Sequence, residues 1–129
     1  DVDEEMGPMR VIPGTHVHGQ IAFEHSSPEE NNVLGQTVAN ADEFGDPVSF
    51  VMQAGQVSLH TDLLLHGSEP NRSKRRRCGL TLRYMPPDVR GRNPEHQQAI
   101  MARGKDVSGY WQHIPRPAGD ALPEKYRKR

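Results

Sequence analysis

At 129 residues the chain has the length of one ordinary domain, and a net charge of −1 argues against disorder driven by self-repulsion and against bulk positive charge as a route to nucleic acid. A single cysteine, Cys78, excludes an internal disulfide framework and any multi-cysteine zinc site, which suits a reducing compartment. Leu, Ile, Val and Phe make up about a fifth of the residues, so the chain is either a piece of something larger or a small domain with a long irregular tail.

The opening, Asp1-Val2-Asp3-Glu4-Glu5, is acidic, the reverse of a signal peptide's basic start. No apolar run approaches the ~18 residues that a membrane span needs. A soluble, cytoplasmic protein is expected. The first residue is not Met, so a natural start further upstream is expected as well. Met9-Arg10-Val11-Ile12 reads as a short strand stopped by Pro13-Gly14. Residues 15–46 are rich in Asn, Glu, Ser and Gly without apolar periodicity, and they read as one long covering or functional loop.

The middle of the chain is more regular. Residues 47–52, with β-branched and aromatic side chains, predict a strand, and Ala54-Gly55-Gln56 a turn. A second run, 57–65, ends at His66-Gly67-Ser68. A polar, basic turn follows over 69–74, and the alternation at 78–84 predicts a half-buried strand closed by Pro86-Pro87. Beyond it the chain is polar and broken by Gly and Pro, with a short helix expected at 95–103 and a frayed basic end. The sum is antiparallel β with long loops.

Seven histidines invite a metal reading: His16, His18, His25, His60, His66, His96 and His113. His60, Asp62 and His66 even spell the two-histidine, one-carboxylate set of non-haem Fe(II) sites. On one strand at about 3.3 Å per residue, however, His60 and His66 stand roughly 20 Å apart, and Asp62 and His66 about 13 Å. Ligands must lie within about 2.2 Å of a shared ion. A helix would bring Asp62 beside His66 but turn His60 away. The local match is therefore set aside as coincidence. His16 is expected to hold the turn after Pro13-Gly14, His60 to line a cavity or pack, and Tyr110 and Trp111 to pack.

A longer phrase carries more information. It runs from Gly55-Gln56-Val57-Ser58-Leu59-His60 through Leu65-His66-Gly67-Ser68-Glu69-Pro70-Asn71-Arg72-Ser73 to Arg77 and Gly79-Leu80-Thr81-Leu82-Arg83-Tyr84. It resembles the C-terminal signature of the phytanoyl-CoA dioxygenase-like family, in which a strand ends in His-Gly-Ser, an Asn-containing turn follows, and an Arg lies eleven positions after the His. Met9 to His16, a strand followed by Pro-Gly-Thr-His, is similar to another hallmark of that family. Arg103-Gly104-Lys105-Asp106 and Pro115-Arg116-Pro117 look like the extension of its bacterial members.

The resemblance implies a mainly β fold, the C-terminal half of a double-stranded β-helix (a jelly-roll, cupin-like barrel) over 1–86, with a mostly irregular extension over 87–129. It implies an Fe(II)- and 2-oxoglutarate-dependent oxygenase that uses O2 to hydroxylate a small organic substrate. His66 is then an iron ligand, Arg77 the partner of the distal carboxylate of 2-oxoglutarate, and Ser68 a hydrogen-bond partner of the same cosubstrate. Imidazole suits ferrous iron, and a planar guanidinium grips a carboxylate through two bonds as Lys cannot. The family's His-x-Asp ligand pair is expected upstream of Asp1, so the chain as it stands is expected to be inactive alone. Within Arg75-Arg76-Arg77 a one-residue slip would turn the wrong side chain inward; the eleven-residue spacing favours Arg77, leaving Arg72, Lys74, Arg75 and Arg76 as a solvated turn. A non-catalytic, cupin-like ligand-binding module is the alternative. Nucleic-acid binding is disfavoured, because few aromatic residues interleave the basic ones.

Overall fold

Residues 9–12 join Met, Arg, Val and Ile between proline breakers, and they supply the middle of the main sheet. The computed structural model describes residues 1–27, 35–93 and 98–117. The chain divides into two compact units, Asp1–Gly79 and Leu80–Arg129.

In the first unit, β1 (Met9–Val11) is flanked by β4 (Val48–Ser49) and β5 (His66–Ser68) in the antiparallel order β4-β1-β5. A separate two-stranded ribbon pairs β2 (Glu24–His25) with β3 (Gln36–Thr37). Val11 lies opposite both Val48 and His66, Arg10 opposite Ser49 and Gly67, and Met9 opposite Ser68. Opposed residues share a sheet face, so Met9, Val11, His66 and Ser68 lie on one side and Arg10 and Gly67 on the other. The Phe50 N–H donates to the Met9 carbonyl at 2.8 Å, and a Val2–Met52 bridge prolongs the pairing beyond β4.

The core of this unit is small. Met6, Val11 and Ile12 are the buried apolar side chains among the described residues, joined by Thr15, which is 1% exposed. Met6 belongs to a 3₁₀ turn, Glu4–Met6, closed by Gly7 at φ +60°. Gly7 lies against the backbone that follows β5: a Cβ there would sit 2.2 Å from the Glu69 carbonyl oxygen. The Glu5 carbonyl accepts the N–H groups of Arg72 and Ser73 at 2.9 and 3.2 Å, which fixes the turn after β5 to the start of the chain.

In the second unit, β6 (Gln98–Ala99) and β7 (Gln112–His113) pair in parallel. The Trp111 indole N–H donates to the Val89 carbonyl at 2.8 Å, and the Arg90 guanidinium lies over the Tyr110 ring, 5.9 Å from its centroid. Arg116 donates to the carbonyls of Met101 and Ala102 at 3.1 and 2.7 Å. Both aromatic side chains therefore have packing partners within the unit.

The described residues are mainly short strands and coil, and they form no closed barrel. Several expected elements differ. The alternation at 78–84 predicts a strand, yet those residues carry none: Leu80, Leu82 and Tyr84 alternate as expected but are 86%, 63% and 76% exposed, and no described strand pairs with them. Alternation assigns faces; a strand also needs a neighbour to accept its hydrogen bonds. Residues 57–65 form no strand either, and the regular pairing begins at His66, where the run was expected to end. Of the helix expected at 95–103, residues 95–97 lie outside the described residues, and Gln98–Ala99 is the strand β6. The long polar stretch 15–46 holds two 3₁₀ turns and the β2–β3 ribbon, with 28–34 outside the described residues. No described helix is long and apolar enough to cross a membrane.

Candidate functional site

Three backbone-directed hydrogen bonds hold the entrance to β5. The Ile12 N–H donates to the Leu65 carbonyl at 2.9 Å, the Leu65 N–H donates to the Thr15 hydroxyl at 2.8 Å, and that hydroxyl donates to the Ile12 carbonyl at 2.8 Å. Thr15, not His16, therefore holds the turn after Pro13-Gly14, and His16 is exposed. A hydroxyl both donates and accepts, so it can join two backbone groups that an apolar side chain would leave unpaired. A Thr directly after Pro-Gly, ahead of a 3₁₀ turn, is the signal that could have pointed to it.

On β5, His66 and Ser68 are two residues apart and share a face. His66 Nδ1 lies 2.7 Å from the Leu64 carbonyl oxygen. A carbonyl only accepts, so Nδ1 carries a proton, and in the neutral ring Nε2 then keeps its lone pair, one of the two tautomers in which an imidazole can ligate a metal. Arg77 Nη1 donates to the Ser68 hydroxyl oxygen at 3.1 Å. The guanidinium thus reaches the strand face that bears His66.

The turn between them is organised by Asn71. Its Oδ1 accepts the Ser73 N–H and hydroxyl at 3.0 and 2.8 Å, and its Nδ2 donates to the Arg75 carbonyl at 2.7 Å. These side-chain bonds replace backbone ones in closing a turn. Arg75 is exposed, as expected of a solvated turn, and pairs with Asp3, whose carboxyl it holds below its ordinary value. Arg75 and Arg77 therefore go to different partners.

His60 stands beside His66, with ring centroids 5.4 Å apart and planes inclined by 60°. The roughly 20 Å separation expected of a straight strand does not hold, because residues 62–64 turn, with the Leu64 N–H donating to the Thr61 carbonyl at 3.2 Å. Phe50 meets the His60 ring edge-on at 6.4 Å. Asp62 does not join them: among the described residues no three His, Cys, Asp or Glu side chains are grouped to hold a metal ion.

The second unit contains a polar cluster that the sequence did not flag. The nearly buried Asp106 carboxylate accepts from the Ser108 hydroxyl at 2.7 Å, the Ser108 and Gly109 N–H groups at 2.9 and 3.1 Å, and His113 Nε2 at 2.8 Å. The Ser108 hydroxyl and then His113 hold this carboxyl far below its ordinary range. Ser108 contacts the carboxylate and not the imidazole, so the three residues are not a nucleophilic relay. They clamp the turn at 106–109 to β7.

With this geometry in view, comparison with known proteins gives one positive finding. The family model described as phytanoyl-CoA dioxygenase matches residues 1–79, the extent of the first compact unit. No curated protein and no solved structure matches the chain.

Proposed function

The chain belongs to the phytanoyl-CoA dioxygenase family, and from that premise we propose that the His66–Ser68–Arg77 face serves an Fe(II)- and 2-oxoglutarate-dependent oxygenase acting on a small organic substrate. One observation carries the reading: the Arg77 guanidinium rests on the Ser68 hydroxyl, on the strand face where His66 keeps a free Nε2. The donor set fits the chemistry. His66 would be one ligand of ferrous iron, its ring orientation held by the Leu64 carbonyl. Arg77 would grip the distal carboxylate of 2-oxoglutarate, and Ser68, which already meets the guanidinium, would complete that contact. When bound, iron and 2-oxoglutarate supply O2-dependent oxidation, with succinate as the product of the cosubstrate. The chain's own part is to fix the imidazole and to orient the carboxylate.

The test is succinate formation from 2-oxoglutarate with Fe(II) and O2 by this chain joined to the upstream segment expected to carry the His-x-Asp pair, alongside 2-oxoglutarate binding measured calorimetrically on the same protein. Turnover that His66→Ala abolishes supports the oxygenase. The same pair of residues also suits a module that binds a small carboxylate without redox chemistry, because a guanidinium beside a hydroxyl can itself hold a carboxylate. Binding that depends on Arg77, with no succinate under any loading of iron, would favour that second reading.

A further inference from the structure

No strand pairing directs Arg77. Residues 69–79 carry no strand, so the pairing that assigns side chains to faces stops at Ser68, nine residues earlier. The turn that carries Arg77 back to the Ser68 hydroxyl is held in shape by other means. Part of that support lies within the turn, in the bonds that Asn71 makes to Ser73 and Arg75. The rest comes from the start of the chain, where residues 3, 5 and 7 meet the turn in reverse order. A Cβ on Gly7 would sit 2.2 Å from the Glu69 carbonyl oxygen, so the two backbones touch there. The Glu5 carbonyl accepts the Arg72 and Ser73 N–H groups at 2.9 and 3.2 Å. The Asp3 carboxylate takes the guanidinium of Arg75, whose own carbonyl is bound by Asn71 Nδ2 at 2.7 Å. Arg75 is thus fixed by side chain and by backbone, two residues before Arg77.

We propose that Asp3 is a positioning residue for the 2-oxoglutarate anchor: its hold on Arg75 sets the register in which Arg77, and not a neighbouring arginine, reaches the His66–Ser68 face. The inference rests on the reading of Arg77 as the partner of the cosubstrate's distal carboxylate. Asp3 acts through Arg75 and does not itself touch the cosubstrate. Its charge gives the test a sign. A carboxylate near a site for a dianion repels the ligand, so deleting that charge by itself tightens binding. Losing the position of Arg77 weakens it. The two effects of one substitution therefore run in opposite directions.

The experiment is calorimetric titration of 2-oxoglutarate into the protein joined to its upstream segment, loaded with Fe(II) and kept free of O2. Wild type is compared with Asp3→Asn, Asp3→Lys, the double variant Asp3→Lys/Arg75→Glu, Glu4→Gln and Arg77→Ala. Asp3→Asn should raise the Kd about two- to fivefold, the range open to one exposed ion pair. Asp3→Lys, which sets two cations together, should raise it further. The double variant restores a pair of opposite charges and should return the Kd to within about twofold of wild type. Glu4→Gln removes the same charge from a carboxylate that accepts from Ser49 and does not meet the turn, so it should not weaken binding. A Kd for Asp3→Asn at or below the wild-type value would overturn the proposal, as would a double variant that does not recover or an equal loss in Glu4→Gln. If Arg77→Ala weakens binding and the Asp3 variants do not, this inference fails while Arg77 stands as the anchor. If Arg77→Ala binds as wild type does, both fail.

Discussion

The Thr15 hydroxyl stands between the Ile12 carbonyl and the Leu65 N–H, one residue before His66. Thr15→Val keeps the shape and removes the hydroxyl, leaving the partly buried Leu65 N–H without its acceptor. Such a loss costs about 1–3 kcal/mol, so urea unfolding should show a destabilisation of that order, with Thr15→Ser close to wild type. Equal stability of the Val variant would show that water replaces the hydroxyl. At the other end of β5, Arg77 and Arg75 serve different partners, Ser68 and Asp3. Arg77→Lys should weaken 2-oxoglutarate binding by about tenfold or more, because a point charge cannot make the paired bonds of a guanidinium. Arg75→Lys should leave it nearly unchanged. Equal effects of the two substitutions in the binding titration would place the carboxylate anchor elsewhere in the basic turn.

At the scale of elements, the two-residue strands of the second unit depend on the Asp106 clamp. Its carboxyl in the folded chain lies far below the ordinary value because the Ser108 hydroxyl, His113 and two N–H groups all favour the charged form. A depressed folded value means that the unfolded chain takes up the proton first. The stabilisation is therefore complete above the unfolded value of about 3.9 and declines as pH falls from there toward the folded value. Trp111, the one tryptophan of the chain, bonds to Val89 within this unit and reports on it. Acid titration followed by its fluorescence should show a transition that starts below about pH 4. Asp106→Asn should remove that pH dependence and should already be destabilised at neutral pH. A transition of the same shape in the Asn variant would assign it to another group.

Over the whole molecule, the buried apolar side chains of the described residues are those of Met6, Val11 and Ile12, while Leu59, Val57, Leu80 and Val107 are 80% exposed or more. A sheet of three short strands with so little burial gains little from removing apolar surface from water. Because the denaturant slope follows the surface exposed on unfolding, urea unfolding should give an m value at or below about 1 kcal/mol/M, the low end for small proteins. A steep, cooperative transition would mean that burial in solution is larger than the described residues provide.

Local pattern determined a good deal here. Met9 to Val11 is a strand because apolar and β-branched residues lie between proline breakers, and the His-Gly-Ser phrase with its eleven-residue spacing pointed to the family that the match over residues 1–79 shows. The same local logic could not see three things. It could not place His60 beside His66, because a turn inside an apolar run reverses a distance that periodicity measures as straight. It could not find Thr15 or Asp106, whose value lies in groups brought to them by the fold. And it read a strand at 78–84 from alternation alone. Side-chain period is written in neighbouring residues, whereas hydrogen-bond pairing depends on which distant segment comes alongside, and that is decided by tertiary structure.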